Sequence, residues 1–225
     1  LRAIARLVPE GAVVVDVGAG HGLLGAWLLA RGRARACVAT ERDRRSGARL
    51  AALGDLPGLA VRFGDGLRAL QDGDRPDVLV MAGLGARTML RILESAGDRL
   101  SGLERLVLQP QTEIGRLRRW LIHRRLAIVA EGITLERGRF YVTVAAETRP
   151  AARPISHPTL SFDDLMEVGP HLVRSGDPLV RAYWERTATR LDRVLDRAPA
   201  GRRGGRAGRR RALAGRVLAA LESRA

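Results

Sequence analysis

Val14-Val15-Asp16-Val17-Gly18-Ala19-Gly20-His21-Gly22 joins a β-branched run to three alternating glycines. Residues 12–17 read as a buried strand, and 23–31 as the helix behind the turn. Glycines at such a junction let the backbone turn sharply and approach a ligand where side chains would clash. Asp16, at the strand end, adds a carboxylate that can hold an ammonium or a hydroxyl. That pairing suits S-adenosylmethionine, whose methionine part carries an ammonium. It suits a dinucleotide pyrophosphate less well, because a nearby carboxylate would repel it. Gly20-His21-Gly22-Leu23-Leu24-Gly25 also fits the dinucleotide fingerprint, so the glycines alone leave both readings open. Asp16 favours a methyltransferase.

Beyond this turn, residues 12–147 alternate apolar runs with helical stretches. The pattern predicts strands at 12–17, 35–40, 59–63, 77–82, 104–109, 127–135 and 139–146. It predicts helices at 23–31, 43–53, 86–96 and 113–124. Such alternation makes a parallel sheet covered on both faces. The last two runs are joined by Glu136-Arg137-Gly138, too short for a crossover helix, so the seventh strand must run antiparallel. The expected fold is α/β: a Rossmann-like, seven-stranded methyltransferase sheet with an antiparallel last strand, then a C-terminal helical, coiled-coil-like domain. The division falls at 1–150 and 151–225, around Pro150, Pro154 and Pro158. Asp177-Pro178 starts a helix with a cap and a first-position proline. Val180, Trp184, Thr187, Leu191, Val194 and Ala198 then form a seam at steps of four and three. Pro199-Ala200-Gly201 breaks it, and Leu213, Val217, Leu218 and Leu221 give an antiparallel return helix. Residues 201–211 between them are arginine-rich and of low complexity.

Four strand ends carry candidate binding groups. The first is the glycine loop, with Asp16, Gly18, Gly20 and Gly22. The second is Glu41, about 20 residues on, placed to accept ribose hydroxyls in either SAM or NAD. The third is Gly64-Asp65-Gly66, where Asp65 could bond an adenine amino group beside Gly66. The fourth is Ala82-Gly83-Leu84-Gly85, where a substrate would meet the reactive group. Each has a plainer reading: Glu41 as a local cap, Gly64-Asp65-Gly66 as a turn, Gly83 and Gly85 as aids to strand–helix packing. His21 could equally be a surface residue. Cys37, Trp27 and Trp120 sit in apolar patterns and read as core. Co-occurrence at four successive strand ends favours the binding site.

Composition narrows the partners. The 225 residues suit one α/β domain plus an appendage. No run approaches the roughly 18–20 apolar residues of a membrane span. The chain, beginning at Leu1, shows no signal-peptide pattern. A single cysteine allows neither a disulfide framework nor a zinc site, so no metal is expected. A cytoplasmic protein with no membrane partner is the expectation; oligomeric state is not legible. The formal net charge is +15, and every one of the 39 basic residues is arginine. A GC-rich genome explains arginine in place of lysine, but not the excess of 39 bases over 24 acids. That excess argues for a polyanionic partner. Residues 151–225 carry 15 arginines against 8 acids, and 1–150 carry 24 against 16, so the tail is the more basic piece.

With these residues assembled, the chain resembles the bacterial tRNA (adenine-22-N1)-methyltransferases. The resemblance rests on residues 8–18, on Ala82-Gly83-Leu84-Gly85, and on residues 100–110, which end in Leu108-Gln109-Pro110. It continues through Arg118-Arg119-Trp120-Leu121 and Phe140-Tyr141 to Val168-Gly169-Pro170, covering roughly residues 4–195. It implies SAM as cofactor, tRNA as partner, and methyl transfer to N1 of an extruded adenine. Residues 82–85 would hold the adenine edge, with His21 and Gln109 as polar neighbours and Tyr141 stacking on the base. Arg209, Arg210 and Arg211 would grip tRNA phosphates. Two departures stand out: Gly20 where the family commonly has an acid, and Leu84 and Ala86 in its Ala-Gly-Met-Gly-Gly turn. The Gly20 departure motivates a rival, an RNA-binding protein of the same fold without catalysis. The fingerprint motivates another, an NAD-dependent oxidoreductase, for which no hydride-transfer residues are evident.

Overall fold

The computed structural model describes residues 1–45, 47–53, 55–100, 102–148, 155–198 and 205–223. Pro150, Pro154 and the break at Pro199-Ala200-Gly201 lie outside them. The chain divides into two compact units, Leu1–Gly132 with Tyr141–Ala152, and Ile133–Phe140 with Arg153–Ala225. The division expected at 150 left the whole hairpin with the first part; its tip clusters with the second.

The first unit is built on β1 (Ala12–Val17), β2 (Ala34–Glu41), β3 (Leu59–Phe63), β4 (Val78–Ala82) and β5 (Arg105–Gln109). With β6 (Ala127–Glu136) and β7 (Arg139–Glu147) they form one seven-stranded sheet in the order β3-β2-β1-β4-β5-β7-β6. β1 to β5 pair in parallel, and β7 runs antiparallel to β5, as the short connection required. That connection is a two-residue turn, Arg137-Gly138, with φ of +48° and +75°, the sense of twist that a tight hairpin favours. Strand order reverses between β1 and β4. The crevice above their carboxyl ends is therefore where a ligand should sit.

Helices α1 (Arg2–Ala5), α2 (Leu23–Ala30), α3 (Ala48–Ala51), α4 (Ala86–Glu94) and α5 (Ile114–His123) accompany the sheet. Alternate residues of the strands feed two cores. Val15, Val17, Leu79, Met81, Leu106 and Leu108 join Met89, Leu93, Leu117 and Leu121 of α4 and α5. Val14, Val80 and Val107 join Leu24 and Leu28 of α2 on the opposite face. Each such side chain, fully buried, contributes about 1.5–3 kcal/mol. Cys37 is in this second core, while Trp27 and Trp120 are half-buried, each with an arginine over its ring (Arg31 and Arg124).

The helix expected at 43–53 shrinks to Ala48–Ala51. Glu41 and Asp43 side chains accept the N–H groups of residues 42, 43 and 45, so side-chain acceptors hold this backbone in a turn. A buried pair, Arg118 to Glu131 at 2.7 Å with both side chains fully covered, ties α5 to β6.

The second unit holds α6 (Phe162–Val168), α7 (Leu172–Ser175), α8 (Pro178–Asp196) and α9 (Arg206–Glu222). The expected cap is present: Asp177 accepts the Leu179 N–H. Contacts of Asp192 with Arg211 and of Glu222 with Arg181 make α8 and α9 antiparallel. Val180, Trp184, Thr187 and Leu191 are buried as the seam predicted, but Val194 is half exposed. At about 100° per residue it falls at the edge of the buried face. Arg206 to Arg211, expected in the low-complexity stretch, are helical. The short helices α6 and α7 were missed. The signal for α6 was Ser161 with Asp164 three residues on, which form a reciprocal capping box.

Candidate active site

The glycine loop takes its shape from left-handed backbone at Gly18, Gly20 and Gly22, with φ of +74°, +55° and +70°. Its start is pinned to β2, because the Gly18 and Ala19 N–H groups both donate to the Thr40 carbonyl at 2.9 and 3.0 Å. The Gly20 N–H then donates to Glu41 Oε2 at 3.0 Å, while Glu41 Oε1 accepts from the Arg42 and Asp43 N–H groups. Glu41 therefore does act as a local cap, and it also fixes the loop. Oε1 is thereby saturated, whereas Oε2, with one bond, keeps acceptor capacity, and Glu41 lines the cavity described below. A β-carbon on Gly22 would lie 2.5 Å from Leu50 Cδ1, whereas one on Gly20 would meet nothing within 4 Å.

Asp16 shares the strand face of Val14, beneath α2, and is 4% exposed. Among the described residues no donor is hydrogen-bonded to its carboxylate. Burial first, and then the charge of Glu41, push its pKa up to about 7. A desolvated, unpaired carboxylate gains most from a cation brought to it.

A cavity of about 290 Å³ opens at the carboxyl ends of β1, β2 and β3. Gly18, Glu41, Asp65 and Gly66 line it, and Leu84 joins them from the turn after β4. Arg91 of α4 closes one side, its Nη1 lying 3.5 Å from Asp65. Gly66 has φ +58°, and a β-carbon there would come within 2.9 Å of Ile92. Hollows of about 530 and 590 Å³ lie at the other end of the sheet, around Asp77. They are larger, but parallel sheets bind ligands at the carboxyl ends, so position outweighs size here.

Residues 82–85 are braced from the segment after β5. The Gly83 N–H reaches both the carbonyl and the side-chain Oε1 of Gln109, each at 3.2 Å. Gln109 is 7% exposed, so the expected substrate contact is instead a buried brace for this turn. The Leu84 carbonyl accepts from the Gln111 N–H at 2.8 Å. His21 is exposed in the glycine loop. Tyr141 is half-buried on β7, three residues toward the hairpin from Val144, which pairs with Leu108, so it lies beyond the carboxyl end of β5. Arg209, Arg210 and Arg211 belong to the second unit. There Arg211 bonds Asp192 at 2.6 Å and Arg210 reaches Tyr183 and Glu167, while Arg209 is exposed. Thr88, Arg91 and Ile92 at the cavity wall were not anticipated; they lie one turn into α4, where no motif marks them.

A family model described as tRNA (adenine(22)-N(1))-methyltransferase matches residues 14–209. The tRNA (adenine(22)-N(1))-methyltransferase of Bacillus subtilis (strain 168) is 31% identical over 188 residues, 82% of this chain and 78% of that protein. The crystal structure of the B. subtilis m1A22 tRNA methyltransferase TrmK superposes with a TM-score of 0.75 at 25% identity, covering 99% of this chain and 95% of that one. A Streptococcus pneumoniae protein solved in complex with S-adenosyl-L-methionine gives a TM-score of 0.79 at 27% identity, over 99% and 96% of the two chains. The glycine loop, the cavity beside it and the sheet with its antiparallel hairpin thus come from one lineage: the chain belongs to the tRNA (adenine(22)-N(1))-methyltransferase family.

Proposed function

We propose that this chain methylates N1 of adenine 22 in tRNA, with S-adenosylmethionine as the methyl donor. The observation that carries the reading is the buried Asp16, with no hydrogen-bond donor among the described residues, one position before Val17 and two before Gly18, both of which line the cavity. These residues fit the cofactor. Asp16 offers a partner for the ammonium, Glu41 Oε2 has a spare acceptor site for a ribose hydroxyl, and Asp65 stands at the wall for an adenine amino group. When bound, S-adenosylmethionine supplies an electrophilic methyl on sulfonium; as the N1–CH3 bond forms, the S–CH3 electron pair stays on sulfur.

Adenine N1 brings its own lone pair, so the protein needs no strong base. Its task is to hold the base in line with the methyl, and ideal alignment is worth up to ~7–11 kcal/mol. N1 is hidden in a base pair, so the base must be unpaired or flipped, at a few kcal/mol. Backbone groups of residues 82–85 then hold the adenine edge, with His21 beside it and Tyr141 available to stack. For phosphate contacts, the second unit offers a better surface than Arg210 and Arg211. Arg190, Arg193 and Arg197 are exposed at steps of three and four along α8 and its C-cap, opposite the buried seam, whereas Arg186 of the same stripe donates to the Gly138 carbonyl at 2.6 Å. The acids of that helix lie on another flank, where Glu185 meets Arg181 and Asp192 meets Arg211.

The test is transfer of labelled methyl from S-adenosylmethionine to unmodified bulk tRNA, followed by nucleoside analysis. Label in 1-methyladenosine supports the reading. tRNA binding without transfer at saturating cofactor would favour the non-catalytic rival, and absence of cofactor binding would sink the proposed activity.

A further inference from the structure

Glu113 precedes α5 as its N-cap, a position that normally takes extended backbone. Here it is left-handed instead, with φ +52° and ψ +40°. Its carboxylate is gripped at two points by Arg87, the second residue of α4: Nε donates to Oε2 at 2.7 Å and Nη2 to Oε1 at 3.1 Å. The Arg87 side chain is 72% exposed and that of Glu113 27%, so water screens the pair and even its two-point geometry adds only modestly to stability. That modest gain is a weak account of a two-point clamp on a residue with left-handed backbone. Position accounts for it better. Between Gln109 and Glu113 the chain lies against the turn after β4, through Gly83 N–H to Gln109, Gln111 N–H to the Leu84 carbonyl, and Ala86 N–H to the Thr112 carbonyl at 3.4 Å. A β-carbon on Gly85 would meet Thr112 Oγ1 at 3.2 Å, so the two segments are close as well as bonded. The Arg87–Glu113 pair closes this arrangement at its outer end, joining the first turn of α4 to the start of α5.

We propose that Arg87 and Glu113 are positioning residues: their pairing holds the Gln109–Glu113 segment, and through it residues 82–85, in the arrangement that receives the acceptor base. The inference rests on the reading of residues 82–85 as the acceptor turn. Neither residue touches the cofactor cavity, so the effect should divide the two substrates. In the full chain, Arg87→Ala and Glu113→Gln should each lower kcat at saturating tRNA about tenfold, given how steeply rate depends on placement. The dissociation constant for S-adenosylmethionine should stay within about twofold. In the cofactor-free protein, amide exchange across residues 109–113 should speed up about tenfold, while exchange in β1 and β2 is unchanged. The exchanged pair, Arg87→Glu with Glu113→Arg, should regain most of the lost kcat. Glu113→Gly accepts the left-handed backbone freely but cannot bind Arg87, and should be as slow as Glu113→Gln.

Unchanged kcat in the single variants, or full activity in Glu113→Gly, would overturn the proposal. So would a parallel loss of cofactor affinity with faster exchange throughout the sheet, which marks a merely structural pair. Wild-type protein that binds S-adenosylmethionine but methylates no tRNA would overturn the functional reading, and this inference with it.

Discussion

Asp16 is the residue on which stability and binding pull in opposite directions. Its folded pKa of about 7 stands above the ordinary carboxylate value of 3.8. The contribution of Asp16 to the ligand-free fold is therefore fully present below about pH 4 and is lost as pH rises through 7. A bound ammonium reverses the preference, so cofactor affinity should climb between about pH 4 and 7 and then level off. Asp16→Asn should remove this slope and weaken S-adenosylmethionine binding. At pH 8 it should also raise the stability of the ligand-free protein, by up to about 4 kcal/mol, since the shift from 3.8 to about 7 spans about three units at about 1.4 kcal/mol each. Calorimetric titration and denaturant unfolding at pH 5 and 8 measure both effects. A variant less stable than wild type at pH 8 would mean that Asp16 has a partner in the free protein. The glycines of the loop divide in the same physical way. Gly22→Ala meets Leu50 and a left-handed backbone together, and should cost about 2–4 kcal/mol in unfolding experiments. Gly20→Asp meets open space, and Asp is among the residues that tolerate such a backbone. It should therefore fold with nearly unchanged stability, so the departure from the family's acid is not a steric necessity.

At the scale of elements, α8 sorts its charges by face. Arg190, Arg193 and Arg197 make no ion pair or hydrogen bond among the described residues, while Arg210 and Arg211 of α9 pair with Tyr183, Glu167 and Asp192. Changing the three α8 arginines to glutamine should raise KM for tRNA at least tenfold at moderate salt. It should lower the salt slope of binding by about 2, and leave cofactor affinity alone. Arg210→Gln with Arg211→Gln should instead lower the melting temperature. If the α8 variant keeps wild-type affinity and slope, its stripe is only a solvated face. The sequence displayed the apolar seam of α8 and its cap plainly, because burial and capping leave periodic and local marks. It did not show which arginines were engaged, since Arg211 finds Asp192 only when a second helix returns alongside. The same holds at the active site. Asp16, the glycines and Glu41 could be read because strand, turn and spacing are local. Gln109 as a brace and Arg87 as the partner of Glu113 could not, because each depends on segments about 26 residues apart meeting in space.

The whole molecule joins a sheet that carries the candidate site to a basic helical unit that carries the proposed phosphate-binding face. Alternation of apolar runs and one short connection sufficed to read the seven strands and the antiparallel last one. The assignment of the hairpin tip to the second unit was not legible, since Ile133–Phe140 continues both strands without a change of pattern. Among the described residues no helix is long and apolar enough to cross a membrane. Charge and family membership lead to one substrate. The most direct test is therefore methylation of two unmodified tRNA transcripts that differ only at nucleotide 22, adenine in one and guanine in the other, with the product mapped by mass spectrometry. The account predicts 1-methyladenosine at position 22 of the first transcript and no transfer to the second. Equal methylation of both transcripts, or of neither while S-adenosylmethionine binds, would contradict it.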